Sequence, residues 1–555
     1  MIKVQERKQL SDPSIFSDMD PFSSKLFANR TTDPRKTNSL ASILDPNTMK
    51  GLTKAADIIV ESIDKRRRIV VIADYDADGA TGCAIALTGL SMFGANVNYI
   101  VPNRFSEGYG LSPQVVERAL ELKPDIFLTV DNGIASHAGI IAAGNYGIPV
   151  VVTDHHMPAD TLPDALAIVN PNQPGCEFQS KNLAGCGVMF YLMIAIRAKY
   201  RSISDPRGSV DLRKLLDILA IGTVADLVKL DFNNRVLVQA GLQRIRQGMA
   251  RAGVEKLFNV TKTHPSKASS DHLGFYIGPR INAAGRMDDA SVGIACLSTP
   301  DDGLAIRLAE SLHATNSDRR TVQKNIEEEA LNSLPKTVSD EQCSICIFDK
   351  QWHEGVIGVV ASRLKEKFYR PSIVLTQVDE STAKGSGRSI PGFNLRDAID
   401  LIDKQNPGLI KKFGGHPMAA GLTIDINGVE RFKIAFESIA KKLLSPSDLK
   451  QIIEHDGVIT SDLINVRNAE LIESNVWGQA FPTPSFVIEQ PKILKQRILN
   501  EAHLKLELQI QDQKIDAIWF GKATEVTQGQ SLLGSLKVNE YQGNVKPQFT
   551  IQMEV

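Results

Sequence analysis

Three acids at alternate positions, Asp74, Asp76 and Asp78, follow directly on the apolar run Ile69-Val-Val-Ile72. Carboxylates that close repel one another unless they are protonated or bridged by a cation. Hard oxygen clusters of this kind suit Mg2+ or Mn2+. Asp131-Asn-Gly-Ile134 supplies a fourth acid, and Asp154-His155-His156 supplies two adjacent imidazoles. Asp226 comes late in the apolar stretch Leu215–Leu227, where a carboxylate is costly unless it is paired or metal-bound. At least four carboxylates and two imidazoles are what a two-metal site needs. Two ions about 3.5–4 Å apart can share a carboxylate and clamp both the attacking and the leaving oxygen of a displacement. A donor set of oxygen and nitrogen without cysteine argues against structural zinc.

These residues need elements to bring them together. Short β-branched runs at Ile69–Ala73, Val97–Val101, Ile126–Val130, Pro149–Thr153 and Ala165–Val169 read as buried strands. Helical stretches fall between them at Ala84–Phe93, Pro113–Leu122 and His137–Asn145, the second with Ser112 as its cap and Pro113 in its first turn. Gly79, Thr81 and Gly82 are expected to turn the chain into the first of these helices. Strands alternating with helices imply an α/β fold with a doubly wound parallel sheet. Each chemical cluster then follows a strand: the Asp74 triplet the first, Pro102–Gly110 with Arg104 the second, Asp131 the third, and Asp154-His155-His156 the fourth. All lie on the carboxyl edge of the sheet, where ligands bind in open α/β folds. A solvated acidic loop explains one such cluster but not four at one edge.

The chain has 555 residues, 43% hydrophobic and 23% charged, with a net charge of −1. That describes an ordinary globular protein of several domains. Any nucleic-acid partner must therefore be met by a local basic surface, because global charge does not decide the question. The start, Met1-Ile-Lys-Val-Gln-Glu-Arg-Lys, lacks the apolar segment of a secretory signal. No run of about 18 apolar residues predicts a membrane span. Six scattered cysteines fit a reducing, cytoplasmic compartment, and Cys343-Ser-Ile-Cys346 reads as strand core.

Residues 1–45 are polar and aperiodic and read as an extended arm. Residues 46–300 form the α/β catalytic domain. Residues 301–335 read as one long helix whose thin stripe of Leu304, Ile306, Leu308, Leu312 and Ile326 fits a bridge between domains. Residues 336–445 restart strands at Ser344–Phe348 and Ser372–Leu375 around a helix at Val356–Lys367, a smaller α/β unit. Residues 446–555 change to strict alternation, as in His503–Ile510, with further strands at Ile515–Phe520, Ser531–Val538 and Gln548–Val555. This predicts an antiparallel β-barrel.

Asp74-Tyr-Asp-Ala-Asp-Gly79, Asp131-Asn-Gly-Ile134 and Asp154-His155-His156 resemble the motifs of the DHH phosphoesterase superfamily. Pro102–Leu111, Gly278-Pro-Arg-Ile-Asn-Ala-Ala-Gly-Arg-Met287, Trp352–Gly358, Lys384-Gly-Ser-Gly-Arg-Ser389 and Phe413-Gly-Gly-His416 narrow the likeness to its bacterial 5′→3′ exonucleases specific for single-stranded DNA. The resemblance runs from about residue 50 to the C-terminus. It implies a DHH domain, a connecting helix, a DHHA1 domain and a C-terminal OB-fold. It implies two divalent cations, Mn2+ or Mg2+, on Asp76, Asp78, Asp131, His155, His156 and Asp226, with Asp74 either a ligand or a support for one. Substrate is expected at Arg104, Tyr109, Arg280, Asn282 and Arg286. It is also expected at Ser386, Arg388 and His416, the second domain capping the cleft and holding a 5′-terminal phosphate.

Fixed guanidinium forks suit phosphate oxygens. Arg280 and Arg286 flank Asn282 in an expected glycine-bearing loop that can approach a phosphate closely, and Ser386 and Arg388 are expected in a loop with Gly385 and Gly387. Tyr109 and Phe105 offer faces for bases, although Phe105 is equally a core candidate. Trp477, Phe481, Trp519 and Tyr541 are stacking candidates in the β-domain, most of them expected in its core. Lys65-Arg-Arg-Arg68 precedes the first strand, away from the catalytic edge, and reads as a solvated helix end. The implied activity is exonucleolytic hydrolysis of single-stranded DNA to mononucleotides in repair and recombination. The implied setting is a monomer in the cytoplasm, with a helicase and a single-strand-binding protein as candidate partners. Smaller superfamily members that cut oligoribonucleotides or cyclic dinucleotides, and a non-catalytic strand-binding scaffold, are the rival readings.

Overall fold

The computed structural model describes residues 2–35, 37, 39–103, 107–287, 289–332, 334, 339, 341–541 and 543–555. The chain divides into two compact units. The larger takes Glu6–Ala314 and His455–Val555; the smaller takes Thr315–Glu454 and the N-terminal residues to Gln5.

The larger unit is built on five parallel strands: β1 (Arg68–Ala73), β2 (Asn96–Ile100), β3 (Ile126–Val130), β4 (Val150–Thr153) and β5 (Ala167–Val169). Their order is β2-β1-β3-β4-β5. Ile69-Val-Val-Ile72 is wholly buried, as a continuous β-branched run covered on both faces should be. The register sets Ala73 beside Val130, Val130 beside Thr153, and Thr153 beside Val169. Four strands therefore end level, and whatever follows them meets at one edge. In this strand order the ligand crevice lies between β1 and β3.

Helix α1 runs Ala77–Met92, seven residues ahead of its expected start. Asp76 caps it through the amides of Asp78 and Gly79, so the helix takes in the glycines read as a turn. Those glycines serve close packing instead. A Cβ on Gly79 would stand 2.5 Å from the Asp74 carbonyl oxygen, and one on Gly82 2.5 Å from Val130 Cγ1. Helices α2 (Gly185–Ser202) and α3 (Leu216–Ala225) pack beside α1, α3 and the first half of α2 being almost wholly buried.

The N-terminal segment differs from the extended arm expected of residues 1–45. Ile2–Glu6 pairs with Gln451–His455, and Pro21–Ala28 forms a helix with an Asp20 cap. Phe27 packs edge-on against Trp477 and Phe481, at 5.8 and 5.3 Å between centroids. The Arg30 guanidinium clasps the Asp456 carboxylate through two 2.7 Å hydrogen bonds, both groups buried. Apolar residues spaced too irregularly for a period still bury when a distant segment supplies the other half of the core.

The ten-residue helix Gly278–Met287 is α4, and the long helix expected is α5 (Asp302–Asn332), with the division between units falling inside it. The buried face of α5 begins with Ala305, Ala309 and Leu312, while Leu304 and Ile306 are exposed, contrary to the expected stripe. The smaller unit holds β6 (Ile345–Asp349), β7 (Ser372–Asp379), β8 (Thr382–Arg388), β9 (Ile410–His416) and β10 (Ala419–Asp425) in the order β9-β10-β8-β7-β6. Helix α6 (Ile357–Phe368) joins the parallel pair β6 and β7. The C-terminal strands are β11 (Phe486–Ile488), β12 (Lys492–Leu499), β13 (His503–Ile510), β14 (Gln513–Phe520), β15 (Leu532–Tyr541) and β16 (Asn544–Glu554). All pairs are antiparallel except β14 with β16, which the alternation could not reveal. Among the described residues, no helix is long and apolar enough to cross a membrane.

Asp456→Ala leaves the Arg30 charge buried and unpaired. It should lower stability by about 3–5 kcal/mol, measured by urea denaturation, with Lys8→Ala at an exposed position as a control near zero.

Candidate metal centre

Level strand ends, the start of α1 and the end of α3 bring seven expected side chains into one cluster. Asp74 follows β1 and accepts a 2.7 Å hydrogen bond from the Tyr75 amide. Asp76 is fixed as the cap of α1. Asp78, in the first turn, accepts from the Gly185 and Cys186 amides at 2.5 and 2.9 Å, so the start of α2 grips its carboxylate. Asp76 and Asp78 thus converge from a helix start rather than from an extended strand.

Asp131 follows β3 in the left-handed region, at φ +63°. Gly185 is required opposite it, because a Cβ there would lie 2.5 Å from Asp131 Cβ. His155 Nε2 lies 3.1 Å from Asp131 Oδ1, 3.6 Å from Asp226 Oδ2 and 3.8 Å from Asp78 Oδ2. His156 Nδ1 lies 2.8 Å from Asp154 Oδ1 and 3.8 Å from Asp131 Oδ1. Ligand atoms within 4.8 Å of one another form three groups: Asp131 with His155 and His156; Asp78 with His155 and Asp226; Asp74 with Asp76 and Asp131. Asp131 and His155 are each shared between two groups, which suits paired ions.

The electrostatics make the same demand. Burial, then the charges of Asp78, Asp76 and Asp74, push the Asp131 carboxyl well above the usual range. Asp226 is raised by the same causes, and Asp76 by burial and Asp78. His155 is pulled down by burial. Burial works against the charged form of His156 too, but the hydrogen bond and charge of Asp154 outweigh it and raise the imidazole to about 9. Asp154 is lowered for the reciprocal reason, against its own burial. Asp131 Oδ1 is buried without a hydrogen bond of its own. An orphaned carboxylate oxygen among mutually repelling acids and two imidazoles is the donor set a divalent cation satisfies.

Three segments match known families: residues 68–223 the DHH family N-terminal domain, 340–442 the DHHA1 domain, and 455–553 the RecJ OB domain. The single-stranded-DNA-specific exonuclease RecJ of Dickeya dadantii is 42% identical over 93% of this chain and 92% of its own. That of Escherichia coli is 39% identical over 99% and 98%. The chain belongs to the RecJ family. The crystal structure of RecJ from Thermus thermophilus in complex with Mn2+ superposes with a TM-score of 0.83 at 27% identity, covering 100% of this chain and 80% of that one. The Mg2+ complex of RecJ from the same organism gives 0.76 at 26% identity, covering 100% and 78%.

The expected substrate residues divide more unevenly than the RecJ metal cluster. Tyr109 is half-exposed beside it, donating to the Asp131 carbonyl at 2.7 Å with its hydroxyl 3.3 Å from His156 Nδ1. Arg104 and Phe105 lie outside the described residues. Gly278–Met287 was expected as a glycine-bearing loop but is α4, entered through a π-turn at His272–Ile277. Arg280 is buried and donates to the Tyr276 carbonyl and to His313 Nδ1, so its fork is committed within the fold. Asn282 Oδ1 accepts from the Ala77 amide at 2.8 Å and holds the turn carrying Asp76 and Asp78. Arg286 is half-buried near the end of α4.

Ser386 and Arg388 lie on β8, not in a loop. Gly385 and Gly387 make room for cross-strand Leu375, Leu422 and Ile373, which is why a glycine-rich run pairs as a strand. A Cβ on Gly358, in the first turn of α6, would meet Ser386 Oγ at 2.7 Å and Arg388 Nη2 at 3.2 Å. A helix start, a hydroxyl and a partly desolvated guanidinium thus meet in the smaller unit. Ala419 is in register with both His416 and Arg388, so His416 ends at the same level.

Sequence reasoning gave no role to Asp154 beyond its motif, nor to the Gly185 and Cys186 amides. Asp154 accepts from the Ile134, His155 and His156 amides and from the His156 ring. Its signal was visible: an acid directly before two histidines at a strand end. Asp154→Asn should weaken Mn2+ affinity about 10–100-fold by releasing the His156 ring, read by calorimetric Mn2+ titration, while the melting temperature stays within a few degrees.

Proposed function

We propose that this chain is a divalent-metal-dependent exonuclease that hydrolyses single-stranded DNA from the 5′ end and releases mononucleotides. The observation that carries the chemistry is the buried, unsatisfied Asp131 Oδ1 amid Asp78, Asp226, His155 and His156. The three-domain match to single-stranded-DNA-specific exonucleases over nearly the whole chain supports the substrate.

Asp76, Asp78, Asp131, His155, His156 and Asp226 would hold two cations, Mn2+ or Mg2+, with Asp74 as ligand or support. When bound, such ions supply Lewis-acid polarisation of the scissile phosphate and ease deprotonation of the attacking water. The protein's part is fixed geometry. The α2 amides hold Asp78, Asp154 holds the His156 ring, and Asn282 holds the Asp76 turn, so little reorganises during reaction. Water adds to phosphorus, the bond to the leaving 3′-oxygen breaks, and that oxygen ends protonated. Tyr109 presents a half-exposed ring beside His156 for a base, worth about 1–3 kcal/mol of stacking without reading sequence. Arg104 and Arg286 are proposed phosphate contacts.

Ser386, Arg388 and His416 are proposed to bind the 5′-terminal phosphate, on the support of the α6 start and the guanidinium beside it. The sequence domains are proposed as 46–300 catalytic, 301–335 connecting helix, 336–445 DHHA1 and 446–555 OB-fold. Repair and recombination in the cytoplasm are the proposed setting, because chromosomal single strands arise there, and a monomer is proposed because one chain supplies all three ligand groups. A helicase would expose such strands, and a single-strand-binding protein would occupy them, which makes both fitting partners.

Asp76→Ala and His155→Ala should each abolish release of label from single strands with Mn2+ or Mg2+, while strand binding in chelator persists. Full activity in either variant would remove the metal reading, and release from 3′-labelled ends first would reverse the polarity. Arg388→Ala should raise KM for 5′-phosphorylated strands about 10–100-fold, the worth of a charged hydrogen-bonded contact, with little change for 5′-hydroxyl strands. Equal losses on both ends would reject the end-reading role.

A further inference from the structure

The larger unit contains a cavity of about 460 Å3 lined by Asp211, Arg213, Gln243, Arg244, Gln247 and Met249, with Leu216, Val236 and Ala240 among its apolar residues. It is separate from the carboxylate cluster. Leu216 opens the ten-residue helix α3 and Asp226 follows its other end, a span of about 15 Å.

Its chemistry is mixed in an informative way. Arg244 Nε is buried and makes no hydrogen bond. Arg213 is held by Asp211, with Nε–Oδ1 at 2.7 Å and Nη2–Oδ2 at 3.0 Å. A bare anion would meet Arg244 but also the Asp211 carboxylate. A ligand carrying both an anionic group and hydroxyls satisfies the two together. Gln243 and Gln247, one turn apart, each offer an amide donor and acceptor. Met249, Leu216 and Val236 supply an apolar surface, the thioether adapting to a flat ring. The volume is within the range of small-molecule sites.

We propose that this cavity binds a nucleoside 5′-monophosphate, with its phosphate on Arg244, a sugar hydroxyl on Asp211 and its base between the glutamine amides and Met249. The choice of ligand rests on the nuclease reading, which makes this class the reaction product; the existence of the site does not.

The test is calorimetric titration of the full chain in excess chelator with dTMP, thymidine and inorganic phosphate. dTMP should bind at least tenfold more tightly than either fragment. Arg244→Ala and the cavity-filling Ala240→Phe should each weaken dTMP at least tenfold. Asp131→Asn and Arg388→Ala, which alter the other phosphate-binding places, should leave it unchanged. Unchanged affinity in Ala240→Phe, loss in Asp131→Asn or Arg388→Ala, or no dTMP binding at millimolar concentration would each overturn the proposal. Should Arg244→Ala not fold, Ala240→Phe decides alone. Mn2+-dependent cleavage by Ala240→Phe should equal that of the unsubstituted chain, and a parent chain with no cleavage at all would count against the nuclease reading, not the cavity.

Discussion

Everything at the metal centre follows from carboxylates that repel one another and cannot move apart. Asp74, Asp76, Asp78, Asp131 and Asp226 crowd where water is largely excluded. There the cost of charge is far higher than at a surface. The fold prevents their escape by anchoring them from behind. Two α2 amides hold Asp78, two α1 amides hold Asp76, and the left-handed backbone at Asp131 aims its side chain. A protein without a cation to place there would gain by replacing any one of these acids. Their presence together in one buried cluster, with Asp131 Oδ1 unsatisfied, fits a preformed cation site.

The same constraint explains the glycines. Gly79, Gly82, Gly185 and Gly222 all stand where a Cβ would strike a neighbour at 2.5 Å or less. Gly79 and Gly185 press on the acids themselves, through Asp74 and Asp131. Gly82 and Gly222 draw α1 against β3 and α3 against α1, through Val130 and Thr81. The close approach of helices to strand ends is thus part of the same arrangement that presents the acids. Reading Gly79 and Gly82 as a turn mistook packing for backbone freedom. One sequence cannot distinguish a glycine that needs positive φ from one that needs an absent side chain.

What was legible before the structure were features with a local cause. Buried parallel strands announce themselves as β-branched runs, and Asp74, Asp131 and Asp154 mark where such runs stop. Hence the strands of the parallel sheet were read correctly, and the seven ligand candidates do cluster. Features set by distant partners were not legible. Phe27 acquires meaning only beside Trp477 and Phe481, and Arg30 only beside Asp456. Arg280 looked like a phosphate fork until His313 and the Tyr276 carbonyl occupied it. The strand nature of Lys384–Arg388 depended on Leu375 and Leu422 filling the space above its glycines.

The C-terminal β-domain is placed by its packing rather than by its position in the chain. It belongs to the same compact unit as the parallel sheet, although Thr315–Glu454 of the smaller unit separates them in sequence. The ion pairs between Lys267 and Glu540 and between Lys537 and Asp271 join the two parts, but exposed pairs contribute only about 0–1 kcal/mol each. More substantial are the bonds from Arg246 to the Glu473 and Ser474 carbonyls and the burial of Trp477, whose amide reaches Ser270 Oγ. Trp477 and Phe481, candidates for stacking on bases, are therefore committed to this seam. Trp519 is half-buried with the Lys522 ammonium 4.6 Å from its ring centroid, and Tyr541 is exposed. A barrel joined to the parallel sheet through this buried seam would hold any ligand it bound at a set distance from the carboxylate cluster. Polymer contacts made there can then help position the scissile phosphate, because binding energy realised far from the reacting atoms is transmitted only through a scaffold that does not yield.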